Sequence, residues 1–237
     1  MRTKEVKLPR NLRKFKRKKM SMRFLKNCLL IILFLVVIHF WLKTKSYRFS
    51  KEDVVKIGEK YAGREIQQAF QKIASELQEH YPGHILPTKH REWVMYKYSG
   101  MTLSMTILHA SLTEYVLLFG SALDTDGYLG RHWLNCTMLL LSGSVKYWKE
   151  GDIEAIEYKI GDSFTFHSGS TGCLGWKANT WVLEYGRGFL PMSMPAIISD
   201  GLFTSFDVIG IFKMFRAFGV AYYYELKSEI GSFISSI

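Results

Sequence analysis

The spacing of apolar residues changes several times along this 237-residue chain, and each spacing predicts a different element. Residues 24–42 form a nearly continuous apolar run, with Lys26 and Lys43 at its edges, and the run is long enough to span a bilayer. Bulky and charged residues follow it at the place where a cleaved signal peptide needs small ones. The pattern therefore favours a retained signal anchor over a signal peptide.

Beyond the anchor, apolar residues recur at three- and four-residue spacing between Ile66 and Leu77, and a Pro-Gly pair at residues 82–83 ends the pattern. This spacing predicts an amphipathic helix whose apolar stripe belongs to a core. Ser50, followed by Glu52 and Asp53, is typical of a capped helix start. Residues 43–83 are therefore expected to be helical.

Short apolar runs separated by turn residues occupy residues 84–190, and this pattern is typical of an all-β sandwich or barrel. The predicted strands are residues 92–98, 101–110, 114–119, 139–147, 155–158, 163–166, 172–176 and 180–185. Turns are predicted at residues 126–127, 150–152 and 161–162.

The carboxyl end is again helical in pattern. Residues 208–230 are long and apolar, but Lys213 and Arg216 are three residues apart and share one helix face. Such charges fit a helix lying in the membrane interface better than one that crosses it. A shorter apolar stretch, residues 192–203, is expected beside it, so residues 191–237 are predicted to face the membrane.

The net charge of +11 is concentrated in residues 1–26. A basic tail before an apolar segment is explained by membrane topology and by attraction to anionic headgroups, so we expect no nucleic-acid partner. The same charge asymmetry places the amino terminus in the cytosol and the chain beyond about residue 43 across the membrane. The remaining length predicts one folded domain.

Glu184 is the most informative residue for chemistry, because it stands in an aromatic strand pattern over residues 176–188. Burying an ionised carboxylate without a partner is costly. Glu184 should therefore be protonated, pair with Arg187 or another fixed donor, or await a cationic ligand. The sequence pattern alone leaves these alternatives open.

Other standard sites are not indicated. The histidines show no metal-ligand spacing, and no P-loop, dinucleotide fingerprint or nucleophile elbow occurs, so neither a metal nor another cofactor is predicted. Three cysteines do not make a disulfide framework. Asn135 begins a glycosylation sequon, but its apolar surroundings make glycosylation unexpected.

Several long motifs carry a resemblance to a known family, and they are residues 46–49, 61–63, 82–87, 108–120, 130–133, 142–143 and 179–188. Together they resemble the sigma-1 receptors and the related fungal sterol delta-8 isomerases, with the receptor branch more similar. The similarity runs almost ungapped from the anchor to about residue 210.

The resemblance implies an α+β membrane protein of the endoplasmic reticulum and nuclear envelope, with a metal-free, cupin-like β-barrel on the lumenal side and a homotrimeric assembly. It implies a receptor that binds hydrophobic amines or sterol-like lipids and modulates other membrane proteins. The expected division of the chain is a cytosolic tail (1–23), a transmembrane anchor (24–42), a helical segment (43–83), the barrel (84–190) and membrane-associated helices (191–237).

The resemblance also implies a binding site in which Glu184 pairs with the amine of the ligand. The positions that match the walls of this site are Met101, Met105, Ile107, Tyr115, Leu117, Phe119, His132, Met138, His167, Trp176, Met194 and Phe218.

Met138 departs from the family pattern, because it stands where a second pocket acid is expected. An isomerase needs one group to protonate the alkene and another to remove a proton. With Glu184 in one catalytic role and Met138 in place of the other acid, the second role has no obvious owner, and His109 and His167 are the remaining candidates. We therefore expect a receptor rather than an enzyme, with a sterol isomerase as the alternative.

Overall fold

The computed structural model describes residues 10–131 and 133–235, and the chain divides into two compact units between Ser46 and Tyr47. The described part of the first unit is one long helix, α1 (Arg10–Thr44). Its segment Met22–Thr44 is long and apolar enough to cross a membrane, by length and composition. The apolar helix predicted over residues 24–42 lies inside it.

Two helices open the second unit, α2 (Lys51–Glu59) and α3 (Ile66–His80). The Ser50 hydroxyl caps α2 by accepting a hydrogen bond from the Asp53 backbone amide at 3.3 Å. The predicted apolar stripe of α3 is buried, including Ile73 and Leu77 at 0% exposure. The predicted cap and core face are thus confirmed.

Within the described residues, strands form two antiparallel sheets. The six-stranded sheet has the order β1-β2-β3-β10-β5-β8, and the four-stranded sheet has the order β4-β9-β6-β7. The strands are β1 (Val94–Tyr98), β2 (Met101–Ala110), β3 (Glu114–Ser121), β4 (Thr125–Tyr128), β5 (Leu134–Ser142), β6 (Val145–Lys149), β7 (Ile156–Tyr158), β8 (Ser163–Phe166), β9 (Gly172–Trp176) and β10 (Thr180–Gly188).

Two strand predictions need correction. The turn predicted at residues 126–127 is wrong, because this segment is β4 and Gly127 pairs with Leu174 of β9. A Cβ atom on Gly127 would lie 2.0 Å from the Ser99 carbonyl oxygen, so glycine here serves a close backbone approach rather than a turn. The single strand predicted over residues 139–147 is two strands, separated by Gly143 with a positive φ of 72°.

The two faces of the six-stranded sheet bury different side chains. On β3, Tyr115, Leu117 and Phe119 face the space between the sheets, whereas Val116 and Leu118 belong to a second cluster with α2 and α3. This alternation follows from the two-residue period of a strand. It produces two apolar cores separated by one sheet.

Glu114 joins the start of the second unit to the outer face of this sheet. Its carboxylate is 2% exposed and accepts hydrogen bonds from the backbone amides of Arg48 at 2.7 Å and Phe49 at 3.3 Å. The Tyr185 hydroxyl donates a third bond at 3.2 Å. Glu114 thus has a structural role away from the space between the sheets.

The carboxyl-terminal segment closes one side of the interior core, which is the apolar core between the two sheets. A 3-10 turn (Leu190–Met192), α4 (Met194–Ser199) and a π-helical turn (Asp200–Thr204) precede α5 (Val208–Ser235). Met214 and Phe218 of α5 are buried in the interior core. Its other face exposes large apolar side chains, such as Ile209 at 71% and Phe212 at 69%.

Candidate ligand-binding site

A largely apolar cavity lies between the two sheets and the carboxyl-terminal helices. The space between its atoms is ≈ 950 Å³, part of it open to solvent. The lining residues are Tyr96, Tyr98, Met101, Leu103, Met105, Tyr115, Leu117, Phe119, Leu129, Leu134, Cys136, Met138, Phe166, Leu174, Trp176, Glu184, Leu190, Ser193, Met194, Ile197 and Phe218.

Glu184 supplies the one carboxylate among these described lining residues. It stands in the middle of β10, where its backbone pairs with Leu117 of β3 on one side and Met138 of β5 on the other. The residue is 6% exposed. Removal of water from this carboxyl raises its pKa to about 7, although hydrogen bonds from Tyr115 and Cys136 act in the opposite direction. The group therefore titrates near neutral pH.

Two protonated side chains contact this carboxylate. The Tyr115 hydroxyl donates a hydrogen bond to Glu184 Oε1, and the same hydroxyl lies 3.1 Å from Cys136 Sγ. Burial raises the pKa of both the Tyr115 phenol and the Cys136 thiol, so both keep their protons and can donate. The carboxylate is thereby held in one orientation without being neutralised.

Gly186 explains how Tyr115 reaches Glu184. Gly186 of β10 is paired with Tyr115 of β3, and a Cβ atom on Gly186 would lie 2.2 Å from Cζ of the Tyr115 ring. Since no side chain can occupy that position, the ring lies over the glycine and its hydroxyl meets the acid two residues away. Gly186 is thus part of the site, and β10 continues through it to Gly188, beyond the predicted end at residue 185.

The predicted alternatives for Glu184 can now be separated. Pairing with Arg187 is wrong, because the Arg187 guanidinium lies over the Tyr47 ring, with its Cζ 5.4 Å from the ring centroid. Residues three apart on a strand face opposite sides, which accounts for the separation. The fixed donor is instead Tyr115, a neutral group, and no cationic side chain occurs among the described lining residues.

Seven of the predicted site residues line the cavity: Glu184, Met105, Tyr115, Leu117, Phe119, Met138 and Trp176. Met101, Met194 and Phe218 also line it, as the resemblance implied. The Phe119 and Trp176 ring centroids are 5.4 Å apart. The site therefore combines one acid with aromatic faces, which is a surrounding suited to a bulky cation.

Three predicted histidine positions need separate comment. His167 is exposed and does not line the cavity, where the neighbouring Phe166 does, so its assignment to the site is corrected. His109 lies on the outer face of the sheet, with its ring centroid 4.6 Å from that of Phe49, and therefore cannot act on a ligand beside Glu184. His132 lies outside the described residues.

Met138, which stands where the resemblance implies a second acid, is the strand partner of Glu184. The missing acid would therefore have stood directly beside Glu184. A thioether can neither donate nor accept a catalytic proton. Ile107, another position implied by the resemblance, is buried in the interior core but does not line the cavity.

Sequence reasoning missed several lining residues. Cys136 lies two residues before Met138 on β5, so strand alternation alone could have found it. The same holds for Tyr96 and Tyr98, which alternate on β1. Ser193 and Ile197 had no such signal, because the packing of the carboxyl-terminal segment brings them to the cavity.

Comparison with known proteins identifies the family of this chain. The family model described as ERG2 and Sigma1 receptor like protein matches residues 26–229. The chain belongs to this family. Sigma non-opioid intracellular receptor 1 of Danio rerio is 41% identical over 181 residues, which cover 76% of this chain and 82% of that protein. A protein named erg2 homolog from Dictyostelium discoideum is 29% identical over 177 residues, covering 73% and 75% of the two chains.

Among solved structures, an RmlC-like cupin from Shewanella frigidimarina is similar over 45% of this chain and 90% of its own, with 14% identity and a TM-score of 0.37. A structural similarity this low does not indicate a function. Family membership supports a sigma-receptor-like function, and the family together with the apolar helix is compatible with a membrane protein.

Proposed function

We propose that this protein is a sigma-1-receptor-like membrane protein that binds hydrophobic amines or sterol-like lipids in the cavity around Glu184. The observation that carries the proposal is a buried carboxylate in an apolar cavity, hydrogen-bonded by the neutral Tyr115 and left without a cationic partner among the described lining residues. An ammonium group of a ligand supplies the missing charge.

The energetics favour this ligand class. A carboxylate whose pKa lies near 7 is held at a cost when ionised, and an ammonium beside it removes that cost through a charge-assisted hydrogen bond. The apolar remainder of the ligand contacts the methionine, leucine and aromatic walls, with Trp176 and Phe119 available to the cation. When Glu184 is protonated, its hydroxyl can donate to a neutral sterol-like lipid.

The proposed location is the endoplasmic reticulum membrane and nuclear envelope, with a cytosolic amino terminus and a lumenal barrel. The cations in residues 1–26, which come before the apolar centre of α1, support this orientation. Phe203 and Phe206 are 76% and 79% exposed, and with Ile209 and Phe212 they form an apolar surface suited to a bilayer. Homotrimer formation and modulation of other membrane proteins belong to the same proposal.

A direct binding experiment tests the ligand assignment. Full-length protein in detergent is titrated with N-benzyl-N-methyl-4-phenylbutylamine and with the neutral isostere in which CH replaces the nitrogen. We expect saturable binding of the amine, weak binding of the isostere, and loss of this preference in Glu184→Gln. Glu157→Gln, an exposed acid on β7, is the matched control and should retain it. Equal binding of both compounds to the unmodified protein would overturn the proposal.

The alternative is a sterol delta-8 to delta-7 isomerase. One observation favours it, because Glu184 is partly protonated near neutral pH and could protonate an alkene. No second carboxylate occurs among the described lining residues, where Met138 stands beside Glu184. Growth of a fungal strain lacking its own isomerase discriminates the two. Rescue by this protein, with delta-7 product formed, would replace the receptor proposal.

A further inference from the structure

A second group of ionisable side chains lies outside the cavity, where α5 meets the loop after α3 and the end of β2. Glu225 and Glu229 are four residues apart on α5 and so share one face of the helix. His84 comes from the loop after α3, and His109 comes from β2. None of these side chains lines the ligand cavity.

The distances within this group are short. His84 Nδ1 lies 2.8 Å from Glu225 Oε2, and His109 Nδ1 lies 3.5 Å from the same oxygen. One ligand atom each from His84, Glu225 and Glu229 lies within 4.8 Å of the others. The side chains of His84 and Glu225 are each 11% exposed, so the group is largely shielded from water but opens to solvent at Glu229.

We propose that His84, Glu225 and Glu229 form a zinc-binding site that joins α5 to the loop after α3. The donor set is one imidazole nitrogen and two carboxylate oxygens, which zinc accepts readily. Calcium and magnesium prefer oxygen ligands alone, so the imidazole selects against them. A fourth position at the exposed side is open to water.

The geometry requires only small movements. Zinc bonds of about 2.0–2.2 Å in a tetrahedron place ligand atoms about 3.3–3.6 Å apart. His84 Nδ1 and Glu225 Oε2 need to separate slightly from 2.8 Å, and Glu229 needs to approach from within 4.8 Å. His109 Nδ1 lies 2.8 Å from the His84 carbonyl oxygen as well as 3.5 Å from Glu225, so it restrains both ligand-bearing segments.

Arg48 competes with zinc for the Glu229 carboxylate. Its guanidinium forms an ion pair with Glu229, so zinc must displace it to gain that carboxylate. Removal of Arg48 should therefore strengthen zinc binding, whereas removal of a ligand should weaken it. A simple network of ion pairs predicts no zinc binding in either case.

The experiment uses full-length protein in detergent, purified without a histidine tag and treated with a chelator. Zinc is titrated against a chromophoric competitor, with calcium and magnesium in parallel. We expect one zinc per chain. His84→Gln and Glu225→Gln should each weaken binding more than about tenfold, since loss of even an outer partner of a metal ligand costs about 10- to 100-fold. Arg48→Gln should strengthen it.

His80→Gln is the matched control, because His80 is an exposed histidine four residues before His84, and its zinc affinity should not change. Amine binding by each variant reports that the protein is folded, since none of these residues lines the cavity. Absence of saturable zinc binding to the unmodified protein would overturn the proposal. So would an affinity unchanged in both His84→Gln and Glu225→Gln.

Discussion

Replacement of Glu184 by glutamine should stabilise the ligand-free protein as the pH rises and weaken its binding of amines. The ionised carboxylate destabilises the ligand-free fold, whereas in the complex it holds the ammonium group of the ligand. Its pKa of about 7 exceeds the ordinary value of 4.5. A folded-state pKa raised in an acid means that the folded protein holds its proton more tightly than the unfolded chain. The contribution of Glu184 to the free energy of unfolding is therefore most favourable below about pH 4.5 and decreases as the pH rises to about 7.

The size of this loss follows from the shift. A difference of about 2.5 pKa units at about 1.36 kcal/mol per unit gives roughly 3 kcal/mol. Glu184→Gln removes the ionisation and with it this pH-dependent loss. A buried amide without a full set of partners costs about 1–3 kcal/mol, but that cost does not vary with pH. The difference between variant and unmodified protein should thus grow in favour of the variant between pH 4.5 and 8.

Binding should change in the opposite direction. Removing one member of a buried charge pair costs about 2–5 kcal/mol, which corresponds to roughly 30-fold to several-thousand-fold in affinity for a hydrophobic amine. The assay is a thermal melt of ligand-free protein at several pH values, with calorimetric amine binding at pH 8. About 3 kcal/mol corresponds to roughly 6–12 °C for a domain of this size.

Two results would refute this reasoning. A difference in melting temperature that stays constant between pH 4.5 and 8 would show that Glu184 does not titrate as its burial requires. An amine affinity within about twofold of the unmodified protein would show that the carboxylate does not hold the ammonium.

Three further predictions concern the same framework. Affinity for a quaternary ammonium analogue, whose charge does not titrate, should fall about a hundredfold from pH 8 to pH 5 as Glu184 takes up its proton, and calorimetry at both values checks this. Gly186→Ala should displace the Tyr115 ring and weaken amine binding about tenfold or more, whereas Gly175→Ala, with ordinary space at its Cβ position, should leave affinity unchanged; equal effects would contradict the role of the glycine. Glu114→Gln should lower stability by about 1–3 kcal/mol because its three hydrogen bonds weaken, yet leave amine affinity in the folded protein unchanged, and a melt with parallel binding separates the two.

Local sequence patterns predicted an element correctly where the apolar run and its flanking turn residues favour the same structure as the tertiary packing. The strands predicted over residues 101–110, 163–166 and 172–176 match β2, β8 and β9 in full. Each is an apolar run bounded by turn residues, so local preference and tertiary packing favour the same structure. The α3 stripe was predicted for the same reason.

Local signals failed where a distant segment decided the outcome. The Asp126-Gly127 pair is a strong turn signal, but pairing with β9 and the close approach of Ser99 make it a strand. Gly143, followed by Ser144, divides what reads as one continuous strand, because the Thr180 side chain occupies the space where a Cβ atom would lie.

The candidate site shows the same division between sequence and structure. The cost of burying a lone carboxylate singled out Glu184 without any structure, and the family resemblance supplied the wall positions around it. Its partner could not be chosen from the sequence, because that depends on the register that sets Gly186 opposite Tyr115. His84 and Glu225 are 141 residues apart, and only the packing of α5 against the six-stranded sheet brings His84 Nδ1 and Glu225 Oε2 within 2.8 Å. Spacing along the chain carries no information about contacts that such packing creates.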